Sequence, residues 1–349
     1  MDRTAHATPT AATAGGPGDG RGIEIRTYAP GDELAILASF RKVVGGAKPG
    51  VEAASLAHWR WAYADNPAGM RVWLAMAGTV VAAHYASRPV RTRVEGREGV
   101  FAQIVDSFVH PDHRNGLKRP GLFAQTGRRL LESTCGPGKD LVAYGWPTRA
   151  AWRMGRALLG YQLVRRETSL SLELGRGPRG LPAGIETLDR LDARVRHLYS
   201  RCARDWPAST VRDEAYLDWR VRRRPGSPYR VIAAPDGCGG LAGYAITRPS
   251  DWPVERALVV SDWLVPTDEI EAADALLEGV RELARTQGAR LLIAVFPAWS
   301  PWFARFQQHG FYAAPSDYHM VSGSYNDPRY GCEWLRDNWW YQPMDLDLF

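Results

Sequence analysis

The stretch HPDHRNGLKRPGLF, residues 110–123, places two glycines, two arginines and a lysine between an apolar run and an amphipathic one. Glycine lets a backbone approach a ligand closely, and cations neutralise phosphates. A helix start adds unpaired N–H groups at the positive end of its dipole. These residues fit a phosphate cradle, and they equally fit a solvated basic loop. Just upstream, Asp106 in IVDSFVHP offers a carboxylate that could take a proton from an attacking amine. An amine with a pKa of ~10.4 is almost wholly protonated near neutrality, so a nucleophilic amine needs such a base. Strand alternation puts Asp106 on the side of Phe108 and His110. His110 and His113 are alternative bases; as an H-x-x-H pair they lack a nearby third metal ligand, so no metal site is expected.

These groups must be held by a folded chain, and the composition allows one. Of 349 residues, 45% are apolar and 23% charged, enough to bury a core. The opening MDRTAHATPTAATAGGPGDGRG (1–22) has no hydrophobic segment and reads as a disordered tail rather than a secretory signal. No apolar run approaches the ~18–20 residues needed to span a bilayer, so no membrane partner is expected. Cys135, Cys202, Cys238 and Cys332 form no C-x-x-C pair, which argues against a disulfide framework and fits a cytoplasmic location. The net charge of +6 is spread over both halves with acidic residues interleaved, so nucleic acid is not an expected partner.

The chain repeats itself. HWRWAYADNP (58–67) returns as YLDWRVRRRP (216–225), aligning Trp61 with Trp219 and Pro67 with Pro225. VVAAHYASRP (80–89) matches GLAGYAITRP (240–249), and IVDSFVHP (104–111) matches VVSDWLVP (259–266). LVAYGWPTRAAWRMGRALLGYQLV (141–164) matches LLIAVFPAWSPWFARFQQHGFYAA (291–314). The order is kept at a spacing of about 150 residues, the size of a whole domain rather than a solenoid repeat. The expected organisation is a tail (1–22), a first domain (23–175), a Gly/Pro linker (176–184) and a second domain (185–349). Each unit alternates strands with helices, one helix covering about 122–134 and another RAAWRMGRALLG, and YQLVRRETSLSLEL closes the first unit as a strand. The fold class is α/β (α+β), with a mostly antiparallel sheet flanked by helices in each unit.

The order of strand, basic glycine loop, helix, strand, helix and G-aromatic element resembles the GNAT superfamily of N-acetyltransferases. VHP at Val109–Pro111 resembles the V-x-P end of that family's strand before the loop, and Arg114, Gly116 and Gly121 resemble its R-x-x-G-x-G/A loop with an insertion. TRAAWRMGRALLGY (148–161) resembles its later element. The resemblance implies two tandem GNAT-like domains, with acetyl-CoA or another acyl-CoA as co-substrate. It implies a cofactor site formed by Phe108, Val109, Arg114, Asn115, Gly116, Lys118, Arg119, Gly121, Leu122 and Phe123. A backbone N–H near Phe108–Val109 would serve the thioester oxygen. Pro120 would begin the helix, where a missing N–H costs nothing. The acceptor would be an amine on a small polar metabolite or amino sugar, and the protein a monomer or homodimer.

The family's usual general acid, a tyrosine four residues before the later glycine, is absent: Arg156 and Phe306 stand there. Tyr144 is the substitute, although a thiol of pKa ~8.5 can leave without an acid. In the second copy, VPTDEIEAADALLEG puts Asp268, Glu269, Glu271 and Asp274 where phosphates would lie, so one CoA per chain is expected. The acidic, aromatic segment WLRDNWWYQPMDLDLF has no counterpart in the first copy and is expected to help wall the acceptor site. Two other readings stand beside acyl transfer: a non-catalytic CoA- or metabolite-binding module, and a FemABX-like aminoacyl transferase.

Overall fold

The computed structural model describes residues 22–44, 55–114, 120–175, 180–251 and 255–346. The expected tail before Gly22 and residues 176–179 of the expected linker lie outside them. The first half runs β1 (Ile23–Thr27), α1 (Asp32–Val44), α2 (Leu56–Trp59), β2 (Arg71–Ala77), β3 (Val80–Val94), β4 (Arg97–Val109), α3 (Leu122–Thr134), β5 (Val142–Tyr144), α4 (Arg149–Leu158) and β6 (Tyr161–Glu173). The second runs β7 (Glu186–Leu188), α5 (Arg194–Cys202), β8 (Ala208–Thr210), α6 (Glu214–Leu217), β9 (Arg230–Pro235), β10 (Leu241–Ser250) and β11 (Ala257–Leu264). It continues through α7 (Ile270–Thr286), β12 (Leu291–Ala294), α8 (Pro301–Gln308), β13 (Tyr312–Gly323), α9 (Cys332–Asn338) and β14 (Trp339–Trp340).

Two mixed sheets carry these elements. The first has the order β1-β2-β3-β4-β5, antiparallel except for the parallel pair β4·β5. The second has the order β7-β9-β10-β11-β12, with β11·β12 parallel, and then β6 and β13. The matching sequence blocks therefore occupy matching strands. The amphipathic stretch after the basic loop forms α3, whose Phe123, Leu130 and Leu131 pack with Tyr85 and Tyr161 in one core beneath the helix. A larger core runs through both halves and includes Trp61, Phe108, Tyr144, Trp219, Tyr244, Trp263 and Trp339.

One strand does not lie where the sequence puts it. YQLVRRETSLSLEL forms β6 but leaves its own half, inserting between β12 and β13 of the second sheet. In return the end of β13 reaches β5, where Gly145 and Val321 exchange two backbone hydrogen bonds of 3.0 and 2.9 Å. Ser322 Oγ donates to the Ala143 carbonyl at 2.7 Å, and Ala143 N–H donates to Asn326 Oδ1 at 3.0 Å. The physical reason is edge satisfaction. β5 is short, pairs with β4 on one side, and would otherwise present open backbone groups on the other.

The repeat also meets itself at a point. α2 and α6 each pass into a π turn, Arg60–Ala64 and Asp218–Arg222, which carry Trp61 and Trp219. The two indoles stack with centroids 5.5 Å apart, and each N–H donates to the other's backbone carbonyl at 2.6 Å. The residues aligned by sequence are thus direct, reciprocal partners.

The last described segment is threaded between the halves. β14 pairs with β8, which pairs with β3, and Trp340 stacks on Trp206 at 4.3 Å. Buried Arg212 is clamped by Asp262 and Asp345, both also buried, with 2.8 Å contacts to each. On β6, Glu167 is 4% exposed and accepts from Trp146 Nε1 at 3.0 Å and from the Tyr341 hydroxyl at 2.8 Å. Burial nevertheless pushes its carboxyl above the ordinary range.

Two outcomes are expected. Trp61→Ala and Trp219→Ala should each cost about 3–5 kcal/mol, and the double variant should cost less than their sum by about 0.5–3 kcal/mol. Urea titration of the four proteins checks this, and strict additivity would mean that the indoles act independently. For Glu167, a raised folded-state value means that the native state holds the proton more tightly than the unfolded chain. Its contribution is fullest below the unfolded value and falls as pH rises through the folded one. Glu167→Gln, which does not titrate, should therefore gain stability relative to wild type between pH 4 and pH 8; parallel stability curves would contradict the burial effect.

Candidate active site

The site begins with a break in register. β3 and β4 pair regularly up to Ala86↔Val105, shift, and resume at His84↔Phe108. Two residues on β4 therefore face one on β3, a β-bulge. Asp106 in this bulge has φ of 50°, a left-handed conformation that Asp tolerates better than most residues. The bulge also changes the alternation: Val105 and Phe108 both enter the larger core, and Phe108 stacks on His84 at 5.3 Å. Two side chains hold the distorted backbone. Tyr63 hydroxyl donates to Asp106 Oδ2 at 2.5 Å, and His84 Nδ1–H donates to the Asp106 carbonyl at 2.7 Å. Burial lowers the His84 pKa, which favours the neutral ring with its proton on Nδ1.

Beyond the bulge the sheet opens. β4 and β5 pair from Phe101↔Val142 to Gln103↔Tyr144. Past that point they part, and a cavity of about 220 Å³ fills the gap. Asp106 and Ser107 line one wall, Gly145–Thr148 the other, Phe123 of α3 the back, and Val321 and Tyr325 the side contributed by the second half. Tyr161 also lines it, its hydroxyl in a short hydrogen bond with that of Tyr85. Burial raises Tyr161 to about 12 and Tyr325 well above the usual phenol value, so both keep their protons at neutral pH. Gly155 makes room for the Tyr161 ring, which would lie 2.1 Å from a Cβ at that position.

The phosphate-cradle residues fall around the start of α3. Gly121 is its N-cap, and Leu122 and Phe123 are buried in the first turn. Pro120 precedes the helix rather than opening it. Val109 packs beside Leu122, and exposed Arg114 returns its Nε to the Val109 carbonyl at 3.1 Å. Asn115, Gly116, Lys118 and Arg119 lie outside the described residues. His110 is buried, and its Nδ1 accepts from Asp112 N–H at 3.3 Å, capping the turn Pro111–His113 away from the cavity lining. Tyr144 does border the cavity, but its hydroxyl donates to the Asp345 carbonyl at 3.2 Å, and burial raises its pKa well above the usual phenol value. Its proton is therefore committed to the interior and poorly available as a catalytic acid.

Sequence reasoning did not single out Tyr63, His84, Tyr161 or Tyr325. A signal existed for three of them in the comparison of the two copies. Tyr63, His84 and Tyr161 stand opposite Val221, Tyr244 and Phe311, so the second copy loses the polar group at two of the three positions and exchanges an imidazole for a phenol at the third. Tyr325 enters through the strand exchange, which no local pattern encodes.

The second sheet repeats the bulge without the site. β10 and β11 shift register between Ile246 and Thr247, which makes Ser261 the extra residue. The adjacent Asp262 is locked by Arg212 and accepts from Tyr244 hydroxyl at 2.7 Å. At the head of α7, Glu269 pairs with Arg201 at 2.5 Å, and Asp274 pairs with Arg305 and His309. Among the described residues, no helix is long and apolar enough to cross a membrane.

No family model matches the sequence, and no curated protein matches it as a relative. Solved structures do match in three dimensions. A GCN5-related N-acetyltransferase from Anabaena variabilis superposes with a TM-score of 0.61 at 13% identity, over 87% of this chain and 73% of that one. One from Kribbella flavida gives a TM-score of 0.55 at 15% identity, over 86% and 70%. Saccharomyces cerevisiae N-myristoyltransferase, solved with bound myristoyl-CoA and inhibitors, gives 0.57 at 12% identity, over 89% and 81%. The parted strands, the bulge and the helix start arise here in a chain with the fold of the GCN5-related N-acetyltransferases.

Proposed function

We propose that this chain transfers an acyl group, most simply acetyl, from acyl-CoA to an amine of a small polar metabolite or amino sugar. The observation that carries this reading is Asp106. Its carboxylate stands on a strained bulge at the edge of the cavity where β4 and β5 part, anchored by Tyr63 and next to the start of α3. A helix start beside a parted sheet suits a pyrophosphate at the amides and a thioester arm reaching into the gap. Arg114 and the loop through Gly121 would neutralise the phosphates. In the gap, Asp106 takes the proton of the incoming amine, directly or through water, as nitrogen attacks the thioester carbonyl. The tetrahedral intermediate then collapses, the C–S bond breaks, and the thiolate departs.

Tyr144 is left out of this scheme because its proton serves Asp345. A thiol of pKa ~8.5 leaves acceptably as its anion. Tyr325, protonated at neutral pH, supplies a donor on the cavity lining that can steady developing negative charge. The second sheet takes no CoA in this reading, because the carboxylates of Asp268, Glu269 and Asp274 stand at the head of α7, where they would repel a pyrophosphate.

Asp106→Asn should lower turnover about 10²–10⁴-fold while leaving CoA affinity nearly unchanged, since the amide can still accept from Tyr63. Thiol release from acetyl-CoA, screened over amines and amino sugars, checks it; full activity in the variant across pH 6–9 would remove Asp106 from the chemistry. Calorimetric titration with CoA should give one site per chain, weakened by Arg114→Glu. Two equivalent sites, or an Arg114→Glu variant that binds normally, would overturn the assignment of the cofactor to the first sheet.

A further inference from the structure

The π turn Arg60–Ala64 touches both the candidate base and the other half of the chain. Its aromatic residues Trp61 and Tyr63 are two positions apart, and such residues do not share a face of a helical turn. Trp61 faces the second half, stacking on Trp219 and exchanging with it the two indole-to-carbonyl bonds of 2.6 Å. Tyr63 faces the first sheet, where its hydroxyl donates to Asp106 Oδ2 at 2.5 Å. Tyr63 is 2% exposed, with the rings of Trp59 at 5.3 Å and His84 at 6.2 Å as neighbours. In so close-packed a place the hydroxyl goes where the turn goes.

The turn itself is fastened. Asp65 N–H closes it onto the Arg60 carbonyl at 2.8 Å, and Asn66 Nδ2 donates to the Pro89 carbonyl on β3 at 3.1 Å. Asp65 also pairs with Arg223, at the end of the facing turn, at 3.4 Å. Asp106, by contrast, is exposed, so its carboxylate keeps one direction only if a locked neighbour holds it. The facing turn carries Val221 where Tyr63 stands, and so makes no such contact in return.

We propose that the second half positions the base of the first: Trp219 holds Trp61, the turn carrying Trp61 holds Tyr63, and Tyr63 holds the Asp106 carboxylate at the cavity. The inference rests on the acyl-transfer reading and adds two positioning residues to it, Tyr63 and Trp219, neither of which lines the cavity. A copy that takes no CoA thereby acquires a part in the reaction. Such indirect control is sufficient, because misplacing a catalytic group by about 1 Å can cost about 10²-fold in rate.

Thiol release from acetyl-CoA with the best amine of the screen, together with CoA calorimetry, tests this. Tyr63→Phe keeps the ring and removes the hydroxyl. It should lower kcat about tenfold or more, with KM for acetyl-CoA and the Kd of CoA within about twofold of wild type. Trp219→Phe keeps a ring and removes the N–H that Trp61 accepts. It should lower kcat about threefold or more, again with CoA binding kept. Added to Asp106→Asn, either substitution should lower kcat by less than a further factor of about two, because both act through that carboxylate. A general loosening of the fold would instead weaken CoA binding and multiply with Asp106→Asn. Should Trp219→Phe fail to fold by circular dichroism, Trp61→Phe, which removes the reciprocal N–H, decides the same link. With Asp106→Asn slow, a normal kcat in Tyr63→Phe or in the folded tryptophan variant, or losses that multiply, would overturn the positioning role and leave acyl transfer standing. Full activity of Asp106→Asn, or no thiol release with any amine, would overturn both.

Discussion

The unpaired edge of β5 is the constraint on which the rest of the architecture depends. A strand of this length pairs with β4 only up to Gln103↔Tyr144, and beyond that point the two strands part. The parting makes a cavity, but it also leaves backbone groups that must find partners elsewhere. The end of β13 supplies them through Gly145 and Val321, while β6 performs the matching service for β12. Neither half closes its own sheet. The exchange therefore brings Val321 and Tyr325 into the wall of a cavity whose chemistry belongs to the first half. It also carries Glu167 to the place where Trp146 and Tyr341 can bond it.

Much of this was legible because the chain repeats. The aligned tryptophans, the strand blocks and the helix after the basic loop translate directly into Trp61·Trp219, two sheets of matching order, and α3. Periodicity and turn residues encode elements that way because each is a local matter of side-chain spacing. The exchange of β6 was not legible. A strand's pattern records which faces are buried and is silent about which neighbour's backbone completes its ladder. The same limit hid Tyr325, which reaches the cavity only because β13 crosses over.

The bulge marks a second kind of limit. Asp106 was readable as a carboxylate at a strand end, but simple alternation assigns directions that a single extra residue overturns. Asp tolerates a positive φ through its short polar side chain, and here Tyr63 holds its carboxylate and His84 its backbone carbonyl. Tyr144 shows the opposite case. Its place at a strand end beside the cavity was readable, while the direction of its hydroxyl depends on Asp345, two hundred residues later. A buried phenol goes to whatever acceptor the tertiary fold supplies, and that acceptor belongs to a segment found only in the second half.

The two bulges, compared, show how one fold can hold different chemistry in its two copies. In the first sheet the carboxylate of Asp106 is exposed and faces open space, with one phenol as its anchor. In the second, the residue beside the bulge is Asp262, buried and fastened to Arg212, which also grips Asp345. Removing one charge from such a triad would strand the others without compensation, so the arrangement fixes the C-terminal segment in place. That segment in turn supplies the carbonyl that holds the Tyr144 hydroxyl and the phenol that bonds Glu167. The bulged position thus carries a free carboxylate in one sheet and Ser261 in the other, where the neighbouring Asp262 is committed through Arg212 to ordering the walls around the first.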